Sequence, residues 1–367
     1  MSARDSAPAP RRVLLCGYYG EHNLGDDALL QVLIAQLPPG WQPLVTAHDT
    51  AQVRQRFRLQ VHELETVNRR SLRSVLAALG RCDALVLGGG SLLQDSTSFR
   101  SLLYYGVLIL NARLRGLPVL LWGQGLGPLR RTRSRVLARL LLSQVSGISW
   151  RDDASARLAA SWGVQAVQGS DPVWAIEPLA WQGGGGPIVL CWRPVVQLDN
   201  RGWRLLLTAL EQLAEGFDRP VHWLPFHQDQ DSTLLADLKE RGLISEQLDR
   251  RSHRIDAATP EAAMEHFQTS SLVIAMRLHG LILAALAGAP CAALSYDPKV
   301  ASAAIALGCP CRDLASTPQG AEASAAEALM HIWAALLDQR PDPARLAPLR
   351  EATVVHSKLL SRLGEPG

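Results

Sequence analysis

Short apolar runs alternate with longer amphipathic stretches along the whole chain. "RRVLLCG" at 11–17 precedes a helical pattern over Asp26–Leu37. "DALVLGGG" precedes a polar loop and a helix around 101–115, "PVLLWGQG" precedes a helix around 132–145, and "GISWRD" opens another. Short runs that are apolar at every position read as strands covered on both faces, and helices between them mark βαβ units in a parallel sheet. After "WQGGGGPIVLCW" the rhythm restarts, with "IVLCWRP", "VHWLPF", "LVIAMR" and "CAALSY" as strands. The pattern predicts an α/β fold of two Rossmann-like, doubly wound domains with C-terminal helices. The expected boundaries are 1–182 and 187–320, joined by the tetraglycine Gly183–Gly186 as a flexible linker, with helices over 321–367. In such sheets ligands bind beyond the C-terminal strand ends, and two domains of this kind would set those ends across a cleft.

The length of 367 residues exceeds what one core ordinarily supports. A net charge of +3 is too small for a nucleic-acid footprint but agrees with an anionic ligand. The most apolar stretch, "SLLYYGVLILNARLRGLPVLLWG", is broken by Asn111, Arg113, Arg115 and Pro118, so it reads as a core helix and a strand, not a membrane span. The basic opening "MSARDSAPAPRR" is not followed by the apolar stretch of a signal peptide. Six cysteines show no CxxC spacing and four lie in or beside apolar runs, which predicts buried free thiols and a cytoplasmic protein.

The polar residues that stand out fall at expected strand ends. In "GYYGEHNLGDDALL", Gly17, Gly20 and Gly25 permit close backbone approach, and the helix after Asp26 offers N–H groups to an anion. Asn23 lies in the same loop. "GGGSLLQD" repeats the device with Gly88, Gly89, Gly90, Gln94 and Asp95, and "GQGLGP" repeats it again. Neither a dinucleotide fingerprint nor a phosphate-binding P-loop is present. "SWRDDAS" puts Arg151 at a strand end, where it can grip a carboxylate or phosphate. "LVIAMRLHGLILAALAGAP" sets Arg277 and His279 between a buried strand and an apolar helix, a costly place unless they are paired or used. "LSYDPKV" adds Tyr296 and Lys299, and "LPFHQDQD" adds His227 and Asp231. Trp192 and Trp203 are candidates to stack on a sugar. No His, Cys or carboxylate spacing resembles a metal site, so no metal is expected.

Taken in order, "GYYGEHNLGDDALL", "GGGSLLQD", "GQGLGP", "RDDAS", "SDPVW", "RLHGLILAALAGAP" and "YDPK" resemble the polysaccharide pyruvyl transferase family, CsaB type. The resemblance runs from Gly17 to about Lys299 and implies a GT-B-like fold. It also implies transfer of pyruvate from phosphoenolpyruvate to a sugar of a cell-surface polysaccharide as a cyclic ketal. Phosphoenolpyruvate is then the donor substrate and no further cofactor is needed. The family's motifs carry over to Arg151, Arg277, His279 and Lys299 as catalytic positions. The glycine loops of the N-terminal domain are then expected on the acceptor side and the C-terminal domain on the phosphoenolpyruvate side. Glu21 and His22 depart from the family's usual aromatic–glycine pair. A lipid-linked acceptor would bring the protein into weak peripheral contact with the inner membrane face. A glycosyltransferase using a nucleotide sugar shares the expected fold and is the competing expectation.

Overall fold

The computed structural model describes residues 10–61, 63–95, 98–316 and 322–364. The basic opening at 1–9 and the expected domain junction at 317–321 lie outside the described residues. The chain divides into two compact units. The first takes in the described residues up to Glu21, Asp26–Pro172 and those from Arg350 onward, and the second takes in His22–Gly25 and Val173–Leu349.

In the first unit the strands are β1 (Arg11–Tyr19), β2 (Trp41–Ala47), β3 (Glu65–Asn68), β4 (Ala84–Leu87), β5 (Gly90–Leu93), β6 (Val119–Leu126), β7 (Gly147–Trp150) and β8 (Val167–Gln168). They run parallel in the order β3-β2-β1-β4-β6-β7-β8, with β5 beside β6. β4 and β6 are buried at every residue, as expected of strands covered on both faces. The chain builds outward from β1 to β3 and then returns to β4 on the other side of β1. That reversal leaves a crevice at the C-terminal ends of β1 and β4.

The second unit repeats the plan with β9 (Ile188–Cys191), β10 (Val221–Trp223), β11 (Ser252–Arg254), β12 (Leu272–Ala275), β13 (Cys291–Ser295) and β14 (Cys311–Asp313). The order β11-β10-β9-β12-β13-β14 puts its reversal between β9 and β12. All residues of β9, β12 and β13 are buried.

Four expectations are corrected. Gly183–Gly186 is not a flexible linker: Gly186 N–H donates to Gly183 O at 2.9 Å within a turn of the second unit. A Cβ on Gly183 would fall 2.1 Å from Ser270 O, and one on Gly186 2.0 Å from Thr269 O, so these glycines answer close packing. The units divide at Pro172 and Val173 instead. The C-terminal helices do not act together, since Glu322–Ala334 belongs to the second unit and Val354–Ser361 to the first. Trp192 and Trp203 are core residues, each 2% exposed, with ring centroids 6.1 Å apart. Finally, β5 forms where a polar loop was expected.

His356 fastens the last helix to the first unit. It is fully buried, with Nε2 2.7 Å from Ser170 O and Nδ1 2.8 Å from Ser149 Oγ. A carbonyl only accepts, so Nε2 carries the proton and Nδ1 accepts from the Ser149 hydroxyl. Ser149 Oγ in turn accepts the Gly123 N–H at 3.0 Å. The ring is therefore neutral, and burial pushes its pKa below the ordinary value. A depressed histidine stabilises the fold fully above about pH 6.5 and loses that contribution as pH falls. Between about pH 7.5 and 5.5, thermal melts of the wild type should fall more steeply than those of His356→Gln. Equal slopes would remove His356 from the acid sensitivity.

Candidate active site

Three strand ends of the second unit carry its unusual polar groups. After β12, Met276 and Arg277 lead into the helix Leu278–Leu286. Arg277 stands at the N-cap in extended conformation and gives the helix no side-chain cap. The first-turn N–H groups of that helix face the strand-end side, the usual setting for an anion.

Arg277 is gripped by Asp231. Nε donates to Asp231 Oδ2 at 3.0 Å, and Nη2 donates to Asp231 Oδ1 and, at 3.1 Å, to Gln230 Oε1. The Asp231 side chain is fully buried at the end of the short helix Gln228–Asp231. It also accepts the main-chain N–H of Phe226 at 3.2 Å and of His227 at 2.9 Å. One carboxylate thus fixes the guanidinium plane and ties down the loop after β10.

His279, half-buried in the first turn, lies over Gly25. A Cβ on residue 25 would fall 2.1 Å from His279 Nδ1, so any side chain here would require the imidazole to move. The segment that carries Gly25 is held by main-chain bonds within this unit: Leu24 N–H donates to Phe226 O and Gln228 N–H donates to His22 O, both at 3.0 Å. Asn23 bridges antiparallel to His227, and its Oδ1 accepts the Gly25 N–H at 3.0 Å. Asn23 and Gly25 thus shape the seat of His279, a task different from the substrate contact expected of them from the sequence.

His227 is 4% exposed, and its ring nitrogens find no hydrogen-bond partner among the described residues. Burial, reinforced by the Arg277 cation, pushes its pKa down, so the ring is neutral at pH 7. The sequence marks this histidine only as a neighbour of Asp231. At the end of β13, Tyr296 accepts from Arg193 Nη1 at 3.1 Å through its hydroxyl, with the guanidinium 5.0 Å from the ring centroid. Asp297 caps the helix Pro298–Leu307 by accepting the Lys299 N–H at 2.9 Å. Lys299, half-buried in that first turn, is one of only three lysines in a chain that otherwise takes its positive charge from arginine.

The first unit uses most of its glycines for internal packing. The buried ring of Tyr19 fills the space over Gly17 and Gly88: a Cβ there would fall 2.3 Å from Tyr19 Cζ and 1.8 Å from Tyr19 Oη respectively. Gly89 makes room for Leu29, at 2.6 Å. Gly20 has φ +69°, and a Cβ there would fall 2.8 Å from the Asp49 backbone. These four positions are therefore not the open cradle the sequence suggests. Gly90 is different: its φ is +108°, and the one heavy atom within 4 Å of a Cβ there is Asp26 Oδ1, at 3.9 Å. Asp26 and Gly90 keep the open strand end of this unit, with Gln94 half-exposed beyond it.

Asp95 has a structural task, accepting Arg130 N–H at 2.8 Å and Arg131 N–H at 2.9 Å. Its burial raises the pKa, but these bonds outweigh it and hold the carboxyl below its usual value. Arg151 is equally committed. Its side chain is 6% exposed, and it donates to Asp171 at 3.2 Å and to Ser91 Oγ at 3.3 Å. The structure thus brings Asp231, Arg277, His279, Asn23 and Gly25 together in the second unit, with Tyr296 and Lys299 one βα step away. Arg151 belongs to the first unit.

Among the described residues, no three His, Cys, Asp or Glu side chains are grouped to hold a metal ion, and no helix is long and apolar enough to cross a membrane.

The two parallel sheets with helices between their strands make this a GT-B-like α/β protein. Solved structures of the same fold include the UDP-N-acetylglucosamine 2-epimerases of Rickettsia bellii and Methanocaldococcus jannaschii. The first aligns with a TM-score of 0.61 at 11% identity over 96% of both chains. The second aligns with a TM-score of 0.61 at 11% identity over 96% of this chain and 99% of the other. The Neisseria meningitidis enzyme, solved bound to UDP-GlcNAc, aligns with a TM-score of 0.59 at 11% identity over 96% of this chain and all 100% of its own. No curated protein matches the chain. The model of one family, polysaccharide pyruvyl transferase, matches residues 23–298, and the chain belongs to that family. Asp231, Arg277 and His279 fall inside the match, while Gly17 and Gly20 precede it and Lys299 follows it by one residue.

Removing one partner of a buried ion pair leaves an uncompensated charge and costs about 3–5 kcal/mol. Asp231→Ala should therefore lower unfolding free energy by about 3 kcal/mol in a denaturant titration. A loss below about 1 kcal/mol would mean that Arg277 is held by something else. Gly25→Ala should displace His279, to be seen as a shifted imidazole resonance in NMR; an unmoved resonance would refute this seat.

Proposed function

We propose that this protein moves pyruvate from phosphoenolpyruvate to a sugar of a cell-surface polysaccharide as a cyclic ketal, releasing phosphate, in the CsaB manner. The observation that carries the reading is Arg277 gripped by Asp231 at an uncapped helix N-terminus, with His279 in the same first turn. Membership of the pyruvyl transferase family supports the class of reaction.

Phosphoenolpyruvate brings a phosphate and a carboxylate, so it calls for separate cationic grips. Arg277 presents a planar fork fixed by its carboxylate, and the helix N-terminus adds main-chain N–H groups. Lys299 adds a compact charge at the neighbouring strand end, where a phosphate with changing geometry is better followed by an ammonium than by a rigid guanidinium. In the reaction the methylene carbon gains a proton, and a sugar hydroxyl forms a bond to C2. The C2–O bond to phosphate then breaks as a second hydroxyl closes the ketal, its proton leaving with phosphate. His279 is suited to hold and move the proton at the methylene carbon, because an imidazole can both donate and accept a proton through its ring nitrogens. Arg151, in the first unit, is likewise fixed by a carboxylate, Asp171, and so is prepared to meet an anionic group of a substrate. The open Gly90–Asp26 strand end of the first unit is the proposed acceptor side, on a protein proposed to act in the cytoplasm at the inner membrane face.

A nucleotide sugar is the other candidate ligand, since the Neisseria structure of the same fold is described as bound to UDP-GlcNAc. Calorimetry with phosphoenolpyruvate and UDP-GlcNAc separates the two. Phosphoenolpyruvate should bind, more weakly in Lys299→Ala, and His279→Ala should keep that binding while phosphate release on an acceptor glycan falls about 10²–10⁴-fold. Binding of UDP-GlcNAc without phosphoenolpyruvate would overturn the proposal.

A further inference from the structure

Two neighbouring helices of the first unit are apolar on the side that faces away from their sheet. Phe99–Leu114 turns Leu102, Tyr105, Leu108, Ile109 and Ala112 into the core, where they join Ala138, Leu141 and Leu142 of Thr132–Leu142. A Cβ on Gly106 would lie 3.3 Å from Leu141 Cδ1, so the helices run side by side over one sheet face. Yet Leu103, Val107, Leu110 and Leu114 are 43, 40, 46 and 88% exposed. Their spacing of 4, 3 and 4 residues puts them in one outward stripe. On the second helix Val136 and Leu140, one turn apart, are 54 and 60% exposed. A helix that is apolar all round is normally covered on every side.

The charge around this stripe is one-signed. Residues 99–150 contain eight arginines and no lysine, aspartate or glutamate, in a chain whose whole net charge is only +3. On a helical projection Arg100 and Arg113 flank the first stripe, and Arg133 and Arg139 flank the second. All four are exposed, and none makes an ion pair among the described residues. Arg133 instead stacks on Phe99, 4.4 Å from the ring centroid, which links the two helix starts.

We infer that this pair of helices is a docking face for an anionic phospholipid bilayer, with the leucine stripe entering the headgroup–acyl boundary and the arginines meeting lipid phosphates. Aliphatic residues bordered by arginine are what such an interface takes. A second copy of this chain would set like charge against like, and single-stranded nucleic acid would call for exposed aromatic stacking platforms where this stripe offers leucine and valine. The inference does not depend on the donor or the acceptor.

The test is flotation of the full chain with vesicles of phosphatidylcholine alone and of phosphatidylcholine with about one-third phosphatidylglycerol. Binding should require the anionic lipid and weaken when salt rises from about 0.1 to 0.5 M. Arg133→Glu with Arg139→Glu, and separately Leu103→Ser with Leu110→Ser, should each reduce partitioning by about tenfold or more at unchanged melting temperature. These positions are exposed, so the variants should fold, and circular dichroism verifies it. Absence of binding, or binding that both variants retain, would overturn the inference. So would self-association in the ultracentrifuge that the leucine variant abolishes while vesicle binding is absent, which would make a second copy the occupant.

Discussion

The Arg277 fork, the loop after β10 and the seat of His279 are all organised by the carboxylate of Asp231. Taking a carboxylate wholly out of water is expensive, and it is tolerated here because four donors converge on it: two main-chain N–H groups and two guanidinium nitrogens. The bonds to Phe226 and His227 order the loop after β10. That loop supplies the main-chain partners for His22 and Leu24, and so sets where Gly25 lies beneath His279. The guanidinium, the imidazole and the loop are therefore one constraint seen from three sides.

This accounts for the many unusual residues of the loop at 17–26 that serve the chain's own packing. Glycine at a strand end has two physical uses, to admit a foreign molecule or to admit the chain's own side chain. Gly17 and Gly88 serve the second, by accommodating the Tyr19 ring, and Gly25 does so for His279. Gly90 has the left-handed backbone and open surroundings that leave the first use available.

The strands buried on both faces were legible because a short uninterrupted apolar run between turn residues fits little except a strand covered on both sides. The positions of Arg277, His279 and Asp231 at strand ends followed from them. The pairing of Arg277 with Asp231 was not legible, since it joins residues 46 apart through the strand order β10-β9-β12. The tetraglycine misled for a related reason. Four glycines signal freedom in an isolated chain, but here Gly183 and Gly186 meet the carbonyls of Ser270 and Thr269 at distances no side chain could accept. Trp192 and Trp203 misled through position: they lie just after β9 and near the start of the next helix, yet their rings point into the core. Local sequence gives the place of a residue on an element, and only packing gives the direction of its side chain.

The two settings of arginine in this protein argue for two kinds of partner. Arg277 and Arg151 are each matched by a buried carboxylate, which fixes their geometry and lowers the cost of keeping them out of water. A cation prepared in this way suits a small anion that must be held in one orientation, because little side-chain freedom remains to be lost on binding. Arg100, Arg113, Arg133 and Arg139 have no such match among the described residues; all four are exposed, and Arg133 alone is steadied, by stacking on Phe99. That arrangement selects poorly for a defined small molecule, since each side-chain stem would have to be ordered. It suits a diffuse field of phosphates, where several weak contacts add without any one of them being fixed, and where the leucines between the stems supply what charge alone does not.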